Sequence, residues 1–172
     1  MKQKVLYFGA LFLLMLITGV FWGTWFTLTR SIDSFSSGEF MHIGRVIIAN
    51  VAIPMRIILP AGIVLVILSL WLYEGKKTAG FYFGILSLIL IMAVLLITLT
   101  VLVPIDNSIK TWTISTLPSN WEIIQDKWKT FHAARTLASL ISFASYSMFL
   151  ILPGPVTEEK GKIKLPVFED DF

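Results

Sequence analysis

Four long apolar stretches constrain this chain more than any other feature of its sequence. They cover residues 5–28, 51–73, 80–103 and 130–152. An α-helix rises about 1.5 Å per residue, so a helix needs about 20 apolar residues to cross about 30 Å of hydrocarbon. Each stretch meets that length. The sequence therefore predicts an all-α protein, a bundle of four transmembrane helices.

The composition supports a membrane protein whose main partner is the lipid bilayer. Hydrophobic residues make up 56% of the 172 residues and charged residues 15%, whereas soluble domains average about 45–50% and about 25%. The chain has no cysteine, which excludes a disulfide-stapled fold and a cysteine-ligated metal site. Its net charge of +3 is small and its cations are scattered, so we expect no nucleic-acid partner.

The distribution of lysines predicts the orientation in the membrane. Four spans place both termini and the connection at residues 74–79 on the same side. Lysines cluster there as two pairs, Lys2 with Lys4 and Lys76 with Lys77. Because cytoplasmic segments of membrane proteins are enriched in Lys and Arg, we expect a multi-pass protein of the plasma or inner membrane with both termini in the cytoplasm.

The two outward connections carry helix start signals. Ser36 and Glu39 have the spacing of a capping box, which predicts a short helix before the second span. Ser119 and Glu122 repeat this spacing after a proline, so a helix is predicted to begin near Asn120 and to enter the fourth span as an amphipathic extension.

The chain is expected to form one membrane domain with a short tail. The Pro153-Gly154-Pro155 segment ends the fourth span. We expect residues 1–155 to form the four-helix transmembrane domain. Residues 156–172 are charged and are expected to form a flexible C-terminal tail.

Two pairs of glycines have the GxxxG spacing that is typical of packed membrane helices. One pair is Gly19 and Gly23 in the first span, and the other is Gly80 and Gly84 in the third. Glycine lets two helix backbones approach closely. Both pairs therefore predict seams where neighbouring helices pack.

Polar residues follow helical spacing in three of the four spans. At about 100° per residue, the following residues share one side of the fourth helix: Trp128, His132, Arg135, Ser139, Ser142 and Tyr146. Similar stripes lie on the first helix at Thr18, Trp22, Trp25 and Thr29, and on the second at Arg45, Ala49, Ala52 and Arg56. We expect these three helices to bury their polar faces.

Chain connectivity predicts that several polar residues meet at one membrane face. The end of the first helix, the start of the second, the end of the third and the start of the fourth all lie there. We therefore expect an outward-facing pocket built from helices one, two and four and capped by the connection at residues 106–127. The residues expected at this mouth are Trp25, Thr29, Asn50, Arg56, Asp106, Asn107, Trp128, His132 and Arg135. Eight residues are the candidates for catalysis or binding: Trp22, Trp25, Asn50, Arg56, Asn107, Trp128, His132 and Arg135.

The arginines in this pocket need partners. An arginine inside a membrane costs at least about 2.5–3.5 kcal/mol and should face the bundle interior or a wet cavity. The four apolar stretches contain no Asp or Glu. Either carboxylates of the connections fold down onto the arginines, or the arginines meet an anionic or carbonyl-bearing ligand.

Two short segments resemble a known family signature. Val103-Pro104-Ile105-Asp106-Asn107 and Trp128-Lys-Thr-Phe-His132-Ala-Ala-Arg135-Thr136 resemble the P-x-N and W-x-x-x-H-x-x-R-T motifs of the anthrone oxygenase-like family. The chain differs in one respect, since Asp106 intervenes and the asparagine stands at Asn107. The resemblance implies four membrane helices. For members with an assigned activity, it also implies oxygenation of an anthrone to an anthraquinone without metal, flavin or other cofactor.

Such chemistry requires particular side chains. A cofactor-free oxygenase needs a substrate that becomes an electron-rich anion, because only such an anion passes an electron easily to dioxygen. We expect His132 to be the base, since an unperturbed histidine pKa of about 6.5 suits proton abstraction near neutrality. Arg135 and Arg56 would stabilise the oxyanion, and Asn107 would orient a carbonyl.

The remaining candidates would bind an apolar aromatic molecule. Trp22, Trp25 and Trp128 offer rings that stack on a fused ring system, and Asn50 lies at the same mouth. The alternative is a non-enzymatic membrane protein whose pocket binds a lipid or a partner protein, or in which His132 and Arg135 only hold the bundle together. A transporter is less favoured, because four spans without an internal repeat offer little machinery for alternating access.

Overall fold

The computed structural model describes residues 2–152, and this part of the chain is built of helices. Its α-helices are α1 Lys2–Thr27, α2 Ser37–Trp71, α3 Ala79–Ile97, α4 Val103–Thr111 and α5 Trp121–Ile151. A 3₁₀-helix, Thr29–Ser34, follows α1, and a π-helical turn, Thr98–Leu102, joins α3 to α4. Four of the helical segments are long and apolar enough to cross a membrane, which confirms the predicted bundle. The predicted tail and the end of the predicted domain lie outside the described residues.

The sequence predicted capping boxes at the N-termini of α2 and α5. The structure contains the first and not the second. The Glu39 amide donates to Ser36 Oγ at 3.4 Å, and the Ser36 amide donates to Glu39 Oε2 at 2.8 Å. This confirms the capping box. Helix α5 does begin directly after Asn120, but the side chain of Asn120 makes no cap hydrogen bond. The second capping box was wrong because the N-cap is Asn120 rather than Ser119, so Glu122 is the second helical residue and not the third that a capping box requires.

The segment after the third apolar stretch is helical rather than a loop. The backbone continues through the π-helical turn into α4, which ends only at Thr111. Pro104 stands in the first turn of α4, where its missing N–H costs nothing. Asp106 and Asn107 therefore lie on a helix, and the segment 106–127, expected as one connection that caps the pocket, begins and ends in helices and contributes Asp106, Asn107 and Lys110 to the cavity wall.

Helix α5 is the central element of the bundle, since α1 and α3 both pack against it. All six residues of its predicted polar stripe are buried, which confirms the stripe. Ser142 Oγ donates to the Ser87 carbonyl of α3 at 2.9 Å, and the Tyr146 hydroxyl donates to Ser69 Oγ of α2 at 2.8 Å. The stripe thus satisfies its polar groups by joining α5 to its neighbours, as expected where no water is present.

The predicted polar faces of α1 and α2 are only partly buried. Thr18 of α1 and Thr29 of the following 3₁₀-helix are buried, but Trp22 of α1 is 43% exposed. On α2, Arg45, Ala49 and Arg56 are exposed. The buried side of α1 is instead formed mainly by apolar residues: Ala10, Leu14, Ile17 and Phe21. Both stripes failed as predictions because a large aromatic or a long cation near a membrane face does not have to turn inward.

Candidate functional site

A cavity of about 480 Å³ lies inside the bundle, toward the end at which α1 ends and α5 begins. Residues of all five α-helices and of the π-helical turn line it. Most of the wall is aliphatic, and the volume falls within the about 300–1,000 Å³ of typical small-molecule sites. The predicted pocket of helices one, two and four is therefore incomplete, because Leu95 of α3 and Thr98 of the π-helical turn also contribute.

His132 and Arg135 lie one helical turn apart on α5 and contact each other. Arg135 donates from Nη2 to His132 Nδ1 at 3.0 Å. A guanidinium group can only donate hydrogen bonds. His132 Nδ1 must therefore accept, and the proton of the neutral ring is carried by Nε2. Both side chains line the cavity, and the two residues are only 5% and 8% exposed.

Each of these two residues keeps one buried donor without a partner. His132 Nε2 and Arg135 Nε make no hydrogen bond to any described residue. Leaving a buried donor unsatisfied costs about 1–3 kcal/mol. Because both residues belong to the cavity wall, a ligand oxygen that accepts from these N–H groups would remove this cost.

Arg135 makes no direct ion pair with a carboxylate of the described residues, although Asp106 is near enough to attract its charge. Its guanidinium carbon lies 4.1 Å from the centre of the Phe21 ring, which provides a cation–π contact. Within residues 2–152, ion pairs form only at Lys129, with Asp33 and Asp126. Of the two alternatives derived from the sequence, the first is met only in part, because the Asp106 carboxylate reaches the same cavity wall but does not contact the Arg135 guanidinium directly.

Trp128 connects α4 to the His132 and Arg135 pair. Its indole Nε1 donates to Asp106 Oδ1 at 3.0 Å. Its ring centroid lies 3.8 Å from that of His132, with the planes inclined by 41°. The Trp128 side chain is almost fully buried. Asp106, Trp128, His132 and Arg135 therefore form a continuous row of contacts along one side of the cavity.

Asp106 is the residue of this row that was missing from the set of site candidates. The sequence placed it at the mouth of the pocket and among the carboxylates of the connections, but gave it no role in catalysis or binding. The signal that could have identified it is its position three residues after the third apolar stretch, with Asn107 and Lys110 following at helical spacing. Extension of the helix by one turn places all three side chains beside the cavity, whose wall they form.

The structure brings five of the eight predicted site residues to the cavity and leaves three away from it. The five are Arg56, Asn107, Trp128, His132 and Arg135. Trp22, Trp25 and Asn50 do not line the cavity. Their sequence neighbours Phe21 and Val51 do, and one residue turns the side chain by about 100° around the helix.

The three absent residues have other surroundings. Trp22 stacks on Phe26 with centroids 5.5 Å apart. Trp25 lies 5.7 Å from the guanidinium carbon of Arg30. Asn50 is exposed. The aromatic cluster at the end of α1 is therefore separate from the cavity wall.

Comparison with known protein families identifies the chain. A family model described as anthrone oxygenase matches residues 44–145, more than half of the sequence. The chain belongs to the anthrone oxygenase family. The matched region contains every charged residue of the cavity wall, whereas the wall residues of α1 lie before it. Comparisons with curated proteins and with solved structures found no match.

The anthrone oxygenase region contains few metal-ligating side chains. Within residues 2–152, no group of three or more His, Cys, Asp or Glu side chains could hold a metal ion. The polar wall of the cavity instead offers hydrogen-bond donors from His132, Arg135 and Arg56 and one carboxylate from Asp106. This donor-rich arrangement suits an organic ligand that bears oxygen atoms.

Proposed function

We propose that the protein is a cofactor-independent oxygenase that acts on an anthrone or a similar polyketide-like aromatic molecule within the membrane. The observation that carries this proposal is the pair of unpartnered N–H groups, His132 Nε2 and Arg135 Nε, in residues that line an apolar cavity. The match of residues 44–145 to the anthrone oxygenase family supports it. The substrate methylene, dioxygen and products balance as R₂CH₂ + O₂ → R₂C=O + H₂O.

The two N–H groups would act on the carbonyl oxygen of the substrate. When the anthrone loses a proton, its electron pair moves into the ring system and that oxygen becomes a phenolate. Hydrogen bonds from His132 and Arg135, together with the Arg135 charge, would stabilise this oxyanion more strongly in a site without water than in solution. Arg56 and Asn107 would bind further oxygen atoms of the substrate, and Trp128 would contact its rings.

The experiment is oxygen uptake by the full chain purified in detergent, with 1,8-dihydroxyanthrone as the substrate. His132→Ala should lower the turnover rate about 10²–10³-fold, the usual effect of the loss of one oxyanion donor. The matched control is His42→Ala, because His42 is exposed on α2 and does not line the cavity. This control should keep the rate of the wild type.

The alternative is a non-enzymatic role, in which the cavity binds a lipid or a partner or in which the His132 and Arg135 contact only stabilises the bundle. Arg56 favours a lipid, because it is exposed on α2 and also lines the cavity. If the wild type consumes no oxygen and His132→Ala lowers the melting temperature, the non-enzymatic role replaces the oxygenase.

A further inference from the structure

The hydrogen bond between His132 and Arg135 leaves the imidazole without a lone pair for catalysis. Nδ1 accepts from Arg135, and Nε2 therefore carries the ring proton. In this arrangement the imidazole can only donate, from an Nε2–H that has no partner among the described residues, and it cannot accept a proton from a substrate. The expectation that His132 is the base therefore conflicts with the geometry, and another group must remove the proton.

Few groups in the cavity wall are able to act as a base. Its charged residues, besides His132, are Arg56, Asp106, Lys110 and Arg135. The guanidinium groups remain protonated. Lys110 donates from Nζ to Asn107 Oδ1 at 3.3 Å and serves there as a hydrogen-bond donor. Among the described wall residues, Asp106 is the only carboxylate.

One oxygen of the Asp106 carboxylate accepts a hydrogen bond, and the other has no donor among the described residues. Oδ1 accepts the hydrogen bond of Trp128 Nε1 at 3.0 Å. No described residue donates a hydrogen bond to Oδ2. A carboxylate fixed through one oxygen keeps lone pairs on the other, which is the arrangement of a positioned general base.

We propose, on the basis of the oxygenase function above, that Asp106 is the general base and that His132 and Arg135 are the oxyanion donors, with Trp128 as the positioning residue of the base. Trp128 joins the two parts of the site, since its N–H contacts Asp106 and its ring contacts His132. The distance between base and donors is thereby set by one buried side chain.

The reaction then proceeds in steps that balance. The Asp106 carboxylate takes a proton from the methylene carbon, and the electron pair of the C–H bond passes into the ring system to give the phenolate. The phenolate passes one electron to dioxygen, and the resulting radical and superoxide combine into a carbon–oxygen bond. The peroxide takes the proton from Asp106 and becomes a hydroperoxide.

Loss of water completes the sequence. The carboxylate removes the second proton from the same carbon, the C=O bond forms, and the O–O bond breaks. The departing hydroxide takes this proton from Asp106 and leaves as water. Asp106 is thus returned to its carboxylate form, dioxygen is reduced, and the methylene carbon is oxidised by four electrons.

The test compares Asp106→Asn with His132→Gln in the oxygen uptake assay. Asparagine keeps an oxygen that can accept from Trp128 but cannot take a proton, so the rate should fall at least about 100-fold, in line with the usual contribution of a general base. Binding of the anthraquinone product, followed by quenching of tryptophan fluorescence, should stay within about twofold. Glutamine keeps a side-chain N–H, so His132→Gln should retain at least about one tenth of the rate.

Asp126→Asn is the matched control, because Asp126 is exposed, does not line the cavity and undergoes the same chemical change. Its rate should equal that of the wild type. A near-normal rate in Asp106→Asn, together with at least a 100-fold loss in His132→Gln, would make the imidazole the base and overturn the proposal. Loss of product binding in Asp106→Asn would also overturn it, because Asp106 would then bind rather than catalyse.

Two cases remain: an Asp106→Asn variant that does not fold and a wild type that is inactive with the anthrone. If Asp106→Asn is unstable, Asp106→Glu restores a carboxylate and should recover more of the rate than asparagine; equal rates in two folded variants would reject the proposal. If the wild type itself consumes no oxygen with the anthrone, the oxygenase function fails and the role of Asp106 fails with it.

Discussion

Replacement of Gly84 by alanine tests how closely the helices pack in the half of the bundle opposite the cavity. A Cβ atom at Gly84 would lie 2.5 Å from Leu70 Cδ2 and 3.1 Å from Phe149 Cδ2. Carbon atoms pack best at about 3.5–4.0 Å, so the new methyl group is about 1 Å too close to α2. Leu70 and Phe149 are both buried in the core, which limits how far they can move.

The magnitude follows from two opposing effects. Overpacking a well-packed core costs about 1–3 kcal/mol, while alanine is favoured over glycine in a helix by about 1 kcal/mol. Gly84→Ala should therefore lower the free energy of unfolding by up to about 2 kcal/mol. Gly19→Ala is the matched control, because nothing lies within 4 Å of its Cβ position. This second variant should gain up to about 1 kcal/mol.

The measurement is reversible unfolding of both variants in mixed micelles, followed by far-ultraviolet circular dichroism. Because both variants gain the same helix propensity, the difference between them isolates the crowding, and it should be about 1–3 kcal/mol. In a Leu70→Ala background, which lacks the nearest atom, the added Gly84→Ala should lose most of its destabilising effect. If Gly84→Ala is as stable as Gly19→Ala, the close contact of α3 with α2 at this position is refuted.

Two further predictions concern the site and the orientation. Trp128→Phe removes the hydrogen bond to Asp106 and should lower the free energy of unfolding in micelles by about 1.5–3 kcal/mol, the value for a charged acceptor; an unchanged value would show that this bond does not form. The chain has no cysteine, so Glu74→Cys and Ser115→Cys introduce single thiols. If the lysine clusters orient the protein as predicted, an impermeant maleimide labels Ser115→Cys in intact cells but Glu74→Cys only after lysis, and the reverse pattern would invert the topology.

The sequence by itself determined the number of spans and the inward face of α5. Length and hydrophobicity are sufficient for the spans, because a helix must satisfy all backbone groups while it crosses the hydrocarbon. The face of α5 was predictable because His132, Arg135 and several serines share one side of an otherwise apolar helix. Exposure of that side to lipid would cost more than any packing preference, so burial was decided locally.

Tertiary packing alone decided the inward faces of α1 and α2. Both helices are apolar on nearly every side, so lipid and protein neighbours compete almost equally for each side chain. Small differences in shape then determine that Phe21 enters the cavity wall while Trp22 turns outward. Packing also decides which glycine pair forms a close contact, since GxxxG spacing permits two helices to approach closely without requiring it. A Cβ atom added at Gly84 would be crowded by Leu70 and Phe149, whereas one added at Gly19 would meet no described atom of another helix within 4 Å.

The cavity and its chemistry also required the three-dimensional arrangement. The sequence contains Asp106, Trp128 and His132 but does not reveal that the π-helical turn continues the third helix into α4, so that Asp106 reaches Trp128. The sequence also does not reveal that Arg135 contacts Nδ1 of His132 rather than Nε2. A hydrogen bond depends on the relative position of two atoms, and for residues on different helices that position is set by the packing of the whole bundle.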